Sequence, residues 1–485
     1  MMAGCRLADV LRQWPGDASD FDGSVGERAG CVQTGADVQR TSAARRLYHR
    51  NFGFGVGNGS FGLLAETLIH PSIVLALFVS QISDSNLLIG LVPAMAAGLW
   101  FLPQLFGAAL TQGRERQLPF AFYGTLVRTL VIGLLGVIGF LVGSDEPSTL
   151  LIWFFVLYAI YNLAGGFTNV PMLELSARVI PAARRGLFFS QRSFWGGILG
   201  FMAGFLIQGI LSQTEDFPAN YALLFFAAFF ALGLSTYCTA MMQETRSEPS
   251  GHRQTFASHL AEAPQLFNNS AFRRFLGFRV TLSLSAIADP FYVVYVQQQL
   301  GAPPEIIGVY IIGMTVARFG SNLIWSKLVD FKGNRFVLQV AALMRLGIPM
   351  IALLLPPLYG WDTFAERVPG GDDSIFYVFG LIFVLYGAAL SAQALANLTY
   401  VMDVAEPEQR PAYFGLTNTI LGFVAFIPVL GGIMVDAFSF EFVFIVTFLI
   451  AFAGVVASGL LHEPQSGDTR SIRGAISTRY RRWRE

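Results

Sequence analysis

Charge is scarce in this 485-residue chain: Asp, Glu, Lys and Arg together make up 13% of it, about half of what soluble globular domains carry. Hydrophobic residues reach 54%, with 45 Phe and a mean hydropathy of +0.54. That is more apolar surface than a water-soluble fold of this length could bury, so a soluble protein is excluded. Lysine is rarer still. Lys327 and Lys332 are its two occurrences; neither follows a glycine as a Walker A loop requires, and neither lies mid-helix where a retinal Schiff base could form. ATP-driven pumping and photoreception are thereby excluded. Cys5, Cys31 and Cys238 are the only cysteines, with no CxxC and no Cys/His cluster, so no disulfide scaffold, metal site or cofactor is expected. HExxH and G-x-S-x-G are missing, which leaves no catalytic candidate and argues against an enzyme. A G-x-G-x-x-G does run from Gly57 to Gly62, but no strand precedes it and it opens an apolar run, so it reads as helix packing. The 32 basic and 32 acidic residues balance, and no global field draws nucleic acid.

What the chain has is long apolar runs. A bilayer core about 30 Å thick takes about 20 apolar residues per helix, and about twelve stretches fit: 52–82, 87–111, 119–143, 150–178, 187–212, 219–243, 272–299, 304–328, 336–358, 375–403, 412–436 and 440–462. The basic residues between them obey the positive-inside rule. With a cytoplasmic amino terminus, the inner loops hold Arg114, Arg116, Arg178, Arg184, Arg185, Arg246, Arg253, Arg273, Arg274, Lys327, Lys332, Arg335 and Arg410. The outer loops hold Arg367 alone, amid Asp84, Asp145, Glu146, Glu215, Asp216, Glu305, Asp362, Asp372 and Asp373. Both termini are therefore expected in the cytoplasm, and the protein is expected as a multi-pass component of the cell (inner, cytoplasmic) membrane. Residues 1–50 lack an apolar core and read as a disordered cytoplasmic tail, not a signal peptide. The basic tail 464–485 is placed to touch anionic lipid headgroups, although a solvated tail is the plainer account.

Shifting the second half onto the first by about 220 residues aligns several features at like depth, as in transporters built from parallel repeats. His70-Pro71 meets Asp289-Pro290, Ile89-Gly90 meets Ile307-Gly308, Gly113 meets Gly333, Arg128 meets Arg345, Arg185 meets Arg410, and Glu244 meets Glu463. The organisation expected is a first six-helix half at 51–243, a cytoplasmic linker at 244–271 and a second half at 272–463. On these features the chain resembles the major facilitator superfamily over roughly residues 50–465. The stretch Asp330-Phe331-Lys332-Gly333-Asn334-Arg335 is similar to the family's G-x-x-x-D-R-x-G-R-R loop, with a degenerate first copy around Gly113 and Arg114. The resemblance implies an all-α membrane fold of twelve helices, a gating latch at Asp330 and Arg335, and a central cavity lined by the first, fourth, seventh and tenth helices.

Ionisable groups inside a bilayer cost about 2.5–3.5 kcal/mol, so they should face a partner or water. Glu66 and His70 share a helical face at i,i+4 spacing and could share a proton. Pro71 and Pro290 each remove a backbone donor, and both equivalent helices should kink there. Asp289 is expected to pair with Arg318, which lines up with Asn322 and Trp325; the plainer alternative makes that pair a static helix fastener. Arg128 and Arg345 are read as peripheral packing or snorkelling groups. Polar stripes on the fourth helix (Tyr158, Asn162, Asn169) and the tenth (Tyr386, Gln393, Asn397, Tyr400) could line a cavity or simply join helices. The function these features suggest is secondary active transport of a small polar or anionic solute by alternating access, coupled to protons through Glu66 and Asp289, by a monomer. Amphipathic drug or metabolite efflux is the alternative within the class. A non-transporting membrane sensor is the alternative outside it.

Overall fold

A computed structural model describes residues 35–111, 114–142, 146–213, 217–244, 266–359, 374–406 and 409–461. Most of the amino-terminal tail, most of the linker and the basic tail, together with Gly113, lie outside the described residues. Residues 35–49 are helical and belong to a unit separate from that of Arg50–Glu485. The account below concerns the second unit.

Among the described residues eleven helical spans are long and apolar enough to cross a membrane. They are α1 (Arg45–Ile82), α3 (Leu118–Val142), α4 (Pro147–Val179), α5 (Ala182–Ser212), α6 (Ala219–Met241), α7 (Ser270–Gln298), α8 (Ile306–Lys332), α9 (Asn334–Tyr359), α10 (Ser374–Val404), α11 (Tyr413–Ala437) and α12 (Phe440–Gly459). Between α1 and α3 runs α2 (Asn86–Thr111), a 26-residue helix whose described apolar part, Asn86–Phe101, is shorter.

Both proline breaks expected from the sequence occur. The α-helical part of α1 ends at Leu68, His70 turns out with ψ 122°, and a π-helical turn covers Pro71–Leu75 before the chain resumes α-helix at Ala76–Ile82. In α7 a 3₁₀ turn at Ser285–Ala288 separates Ser270–Leu284 from Phe291–Gln298, with Pro290 at the junction. A proline nitrogen cannot donate to the carbonyl four residues back, so each helix changes its hydrogen-bond register there.

The packing pairs recur six helices later. α3 packs on α4 and α6, and α2 on α4; α9 packs on α10 and α12, and α8 on α10. Between these groups α2 meets α11 and α5 meets α8, while the later parts of α1 and α7 meet each other. Glycine permits the tightest crossings, because without a Cβ two helix backbones can approach closely. A Cβ on Gly90 would overlap the Pro428 carbonyl, and one on Gly432 would overlap the Asn86 carbonyl. At the other crossing, a Cβ on Gly308 would strike the Gly204 carbonyl.

The apolar core is continuous at one end and divided at the other. One cluster takes in Ile73–Val79 of α1, Ile89 and Val92 of α2, Ile207 of α5, Phe291–Val296 of α7 and Ile307–Ile311 of α8. It therefore joins helices from both sides of the molecule. Towards the ends bearing Arg178 and Arg335 the buried residues separate into two. Ala121, Leu175 and Met242 form a group in α3, α4 and the end of α6; Phe272, Phe275, Trp325, Leu338 and Tyr400 belong to another, built from the seventh to twelfth helices.

Candidate functional site

A cavity of about 260 Å³ lies below the continuous cluster. Its walls come from α1 (Leu63, Glu66, Thr67, His70), α2 (Trp100), α3 (Arg128), α4 (Tyr158, Tyr161, Asn162) and α8 (Met314, Thr315, Arg318, Phe319). The α1 break places His70 and Pro71 in its wall.

Two acid–arginine pairs occupy related positions in the fold, and neither is the pair expected from the sequence. Arg128 of α3 approaches Glu66 of α1 at 3.6 Å and donates to the Tyr161 hydroxyl at 2.6 Å. Its guanidinium also lies over the rings of Tyr161 (4.4 Å) and Trp100 (5.2 Å). On the other side Arg345 of α9 approaches Asp289 of α7 at 3.0 Å, donates to the Ser285 hydroxyl at 3.2 Å and lies 5.4 Å from the Tyr386 ring. The two arginines read as peripheral are thus the central ones. Asp289 pairs with Arg345 and not with Arg318, and Glu66 pairs with Arg128 instead of sharing a proton with His70. Each arginine stands deep in its helix and points inwards, where a carboxylate offsets the cost of its charge.

The pairs differ in their access to water. The Glu66 side chain keeps 49% of its surface exposed, in the cavity, whereas Asp289 and Arg345 keep 9% and 6%. About 220 residues separate equivalent positions of a repeat such as this, so Ser285 stands where Glu66 does and Asp289 where His70 does. The acid of α1 sits one turn earlier in its helix, which puts it in the cavity wall. The acid of α7 is sealed.

Arg318 faces the cavity, half-buried, with its guanidinium 5.5 Å from the Phe319 ring, and forms no ion pair among the described residues. His70 Nδ1 and Arg128 Nε are buried without a hydrogen-bond partner among the described residues. Of the polar stripes, Asn162 lines the cavity but donates to its own helix at the Tyr158 carbonyl, 2.7 Å away. Asn169 is exposed, outside the cavity wall. Asn322 accepts from Ser391 at 2.7 Å, a join between α8 and α10. Gln393 is half-buried, and Asn397 has a buried Oδ1 without a partner. Among the described residues no three His, Cys, Asp or Glu side chains gather as a metal site.

At the divided end, Arg335 donates to the Gly459 carbonyl at 2.8 Å, which ties the α8–α9 turn to the end of α12; Asp330 is exposed. Gly333 has φ +87°, a left-handed conformation that suits glycine. Its neighbour Asn334 donates to Asp403 at 2.7 Å and accepts from Thr399, holding the turn against α10. The corresponding fastening around Arg114 uses Glu244, which sequence reading matched only to Glu463. Its carboxylate accepts from the backbone of Gln117 and Leu118 and from Arg178, which also donates to the Arg114 carbonyl.

Comparison with known proteins agrees with this architecture. The family model described as Major Facilitator Superfamily matches residues 285–484. Residues 285–484 carry a Major Facilitator Superfamily domain. No curated protein sequence matches it. Solved structures with the same fold include a mutant of the nucleoside transporter NupG, at 15% identity and a TM-score of 0.59, covering 84% of this chain and 99% of that one. A D-xylose–proton symporter is similar at 14% identity and a TM-score of 0.59, over 86% of this chain and 98% of its own. A bacterial homologue of the iron transporter ferroportin, in an inward-facing state, has 13% identity and a TM-score of 0.59, over 85% and 98%. The sequence match covers only the second half, and the fold match extends to the first. The chain is accordingly a multi-pass membrane protein with the fold of these transporters.

Proposed function

We propose that the protein is a secondary active transporter that carries a small polar or anionic solute by alternating access, with twelve spans in two six-helix halves and both termini in the cytoplasm. The observation that carries this reading is the core that is shared at one end and split at the other, with a charged cavity at the junction. The divided end bears the arginine-rich loops, so by the positive-inside rule the cavity opens to the cytoplasm and the outer route is sealed. Rocking the halves about the cavity would part the α2–α11 and α5–α8 crossings and bring the two inner clusters together. The natural setting is the cytoplasmic membrane, with the protein acting as a monomer.

Glu66 is proposed as the proton-carrying group, because it alone of the two paired acids is open to cavity water. Protonating it removes the counter-charge of Arg128, which retains the Tyr161 hydroxyl and two aromatic faces. The proton site is thereby coupled to whatever occupies the cavity beside Arg128. One charge crossing 100 mV contributes about 2.3 kcal/mol, enough for more than a tenfold solute gradient. The test is uptake into proteoliposomes under an imposed pH gradient. Glu66→Gln is expected to abolish gradient-driven accumulation while exchange of solute across the membrane continues. Accumulation by Glu66→Gln at the wild-type level would remove Glu66 from coupling.

A further inference from the structure

Resting on that reading, the charges around the cavity narrow the cargo. Lining it are two guanidiniums, Arg128 and Arg318, against one carboxylate, Glu66; the remaining titratable side chains of the wall are His70, Tyr158 and Tyr161. Arg192 of α5, within electrostatic reach of Glu66, adds positive charge. With His70 neutral the wall is net cationic, and the excess resides on Arg318, which forms no ion pair among the described residues and lies by the Phe319 ring, with His70 and Tyr386 within electrostatic reach. An uncompensated guanidinium at this depth is costly. It is retained where something negative comes to it.

His70 Nδ1 and Arg128 Nε are buried polar atoms of wall residues, without hydrogen-bond partners among the described residues. Between and around these groups the wall is aromatic. Tyr158 and Tyr161 stack with interplanar angle 11°, and Trp100 and Phe319 complete the wall. A cavity of this size, with Arg318 on α8 facing the aromatic wall of α2 and α4, suits a small planar body carrying one anionic head.

We propose that the transported solute is an organic monocarboxylate with a planar, apolar body. Its carboxylate is held by Arg318, and its body lies against Tyr158, Tyr161 and Trp100. Arg318 is the anion anchor, and the Glu66–Arg128 pair is the neighbouring proton site.

The full chain, purified in detergent, is tested for thermal stabilisation by benzoate, benzamide, benzylamine, acetate and inorganic phosphate, in chloride-free buffer and with added chloride. Benzoate is expected to protect; neutral benzamide and cationic benzylamine are not. Arg318→Gln is expected to weaken benzoate binding about tenfold or more, as loss of a charge-assisted hydrogen bond does. Arg318→Lys, which keeps the charge, should retain most of the binding and guards against misfolding of the glutamine variant. Equal protection by benzamide or benzylamine, undiminished benzoate binding in Arg318→Gln, or no protection by any carboxylate would overturn the proposal. Protection by phosphate or chloride matching that by benzoate would also overturn it, by assigning the site to a small inorganic anion or a lipid phosphate. Labelled benzoate uptake into proteoliposomes separates the two readings. Arg318-dependent binding without uptake would remove transport while keeping the ligand class, whereas Arg318-independent uptake of a neutral solute would keep transport and remove the ligand class.

Discussion

Neutralising one acid of each pair should have unequal effects on stability. In Asp289→Asn the amide cannot offset the Arg345 charge, and both side chains are more than nine-tenths buried. Removing one partner of such a pair costs about 3–5 kcal/mol, because the remaining charge is left desolvated. Arg345 keeps the Ser285 hydroxyl and the Tyr386 ring, which places the expectation at the lower end, about 3 kcal/mol. Glu66 is half-exposed, so Glu66→Gln should cost about 1 kcal/mol or less. Unfolding in mixed micelles with increasing dodecyl sulphate, followed by tryptophan fluorescence, measures both. The double variant Asp289→Asn, Arg345→Gln should recover part of the loss, since neither charge then remains alone. If Asp289→Asn is no less stable than Glu66→Gln, or the double variant loses the full sum of the singles, the sealed pair is not the fastener described here.

Three other outcomes follow from particular contacts. Gly90→Ala should loosen the outer crossing, because its Cβ would overlap the Pro428 carbonyl; an impermeant thiol reagent applied from outside should then label a Thr67→Cys cavity probe that it misses in the parent. Glu244→Gln should cost about 3 kcal/mol, since the Glu244 carboxylate is 1% exposed and serves Arg178 and two backbone donors; increased proteolysis near residue 116 would report it. Gly333→Ala should cost about 1 kcal/mol from its left-handed backbone, read as a lower unfolding midpoint with cavity binding unchanged.

The spans were legible because hydropathy at membrane length is a strong signal, and Pro71 and Pro290 announced the helix breaks by chemistry alone. The partners of the buried charges were not. Helical spacing puts Glu66 and His70 on one face only if the helix continues, and the break at Leu68 turns His70 away from that register. Asp289 could reach Arg318 or Arg345 by depth alone; which one it meets depends on how α8 and α9 rotate about their axes, and that is set by many packing contacts at once. A signal was nevertheless present. The repeat aligns Arg128 with Arg345 while α1 and α7 each carry an acid, and two deep arginines in equivalent helices are better explained by equivalent partners than by snorkelling. The Glu244 fastening was hidden for another reason: two of its three donors are backbone N–H groups, which no residue pattern records.

The glycine crossings between α2 and α11 also have an entropic consequence. Where Gly90 faces the Pro428 carbonyl and Gly432 faces the Asn86 carbonyl, helix meets helix through backbone atoms. Fixing a long side chain costs up to about 2 kcal/mol of rotamer freedom, and glycine costs none. Such a contact can part and re-form without any side chain first finding its rotamer. If the halves rock as proposed, this crossing is fitted to part often, since it closes by alignment of two rods instead of by the interlocking of teeth.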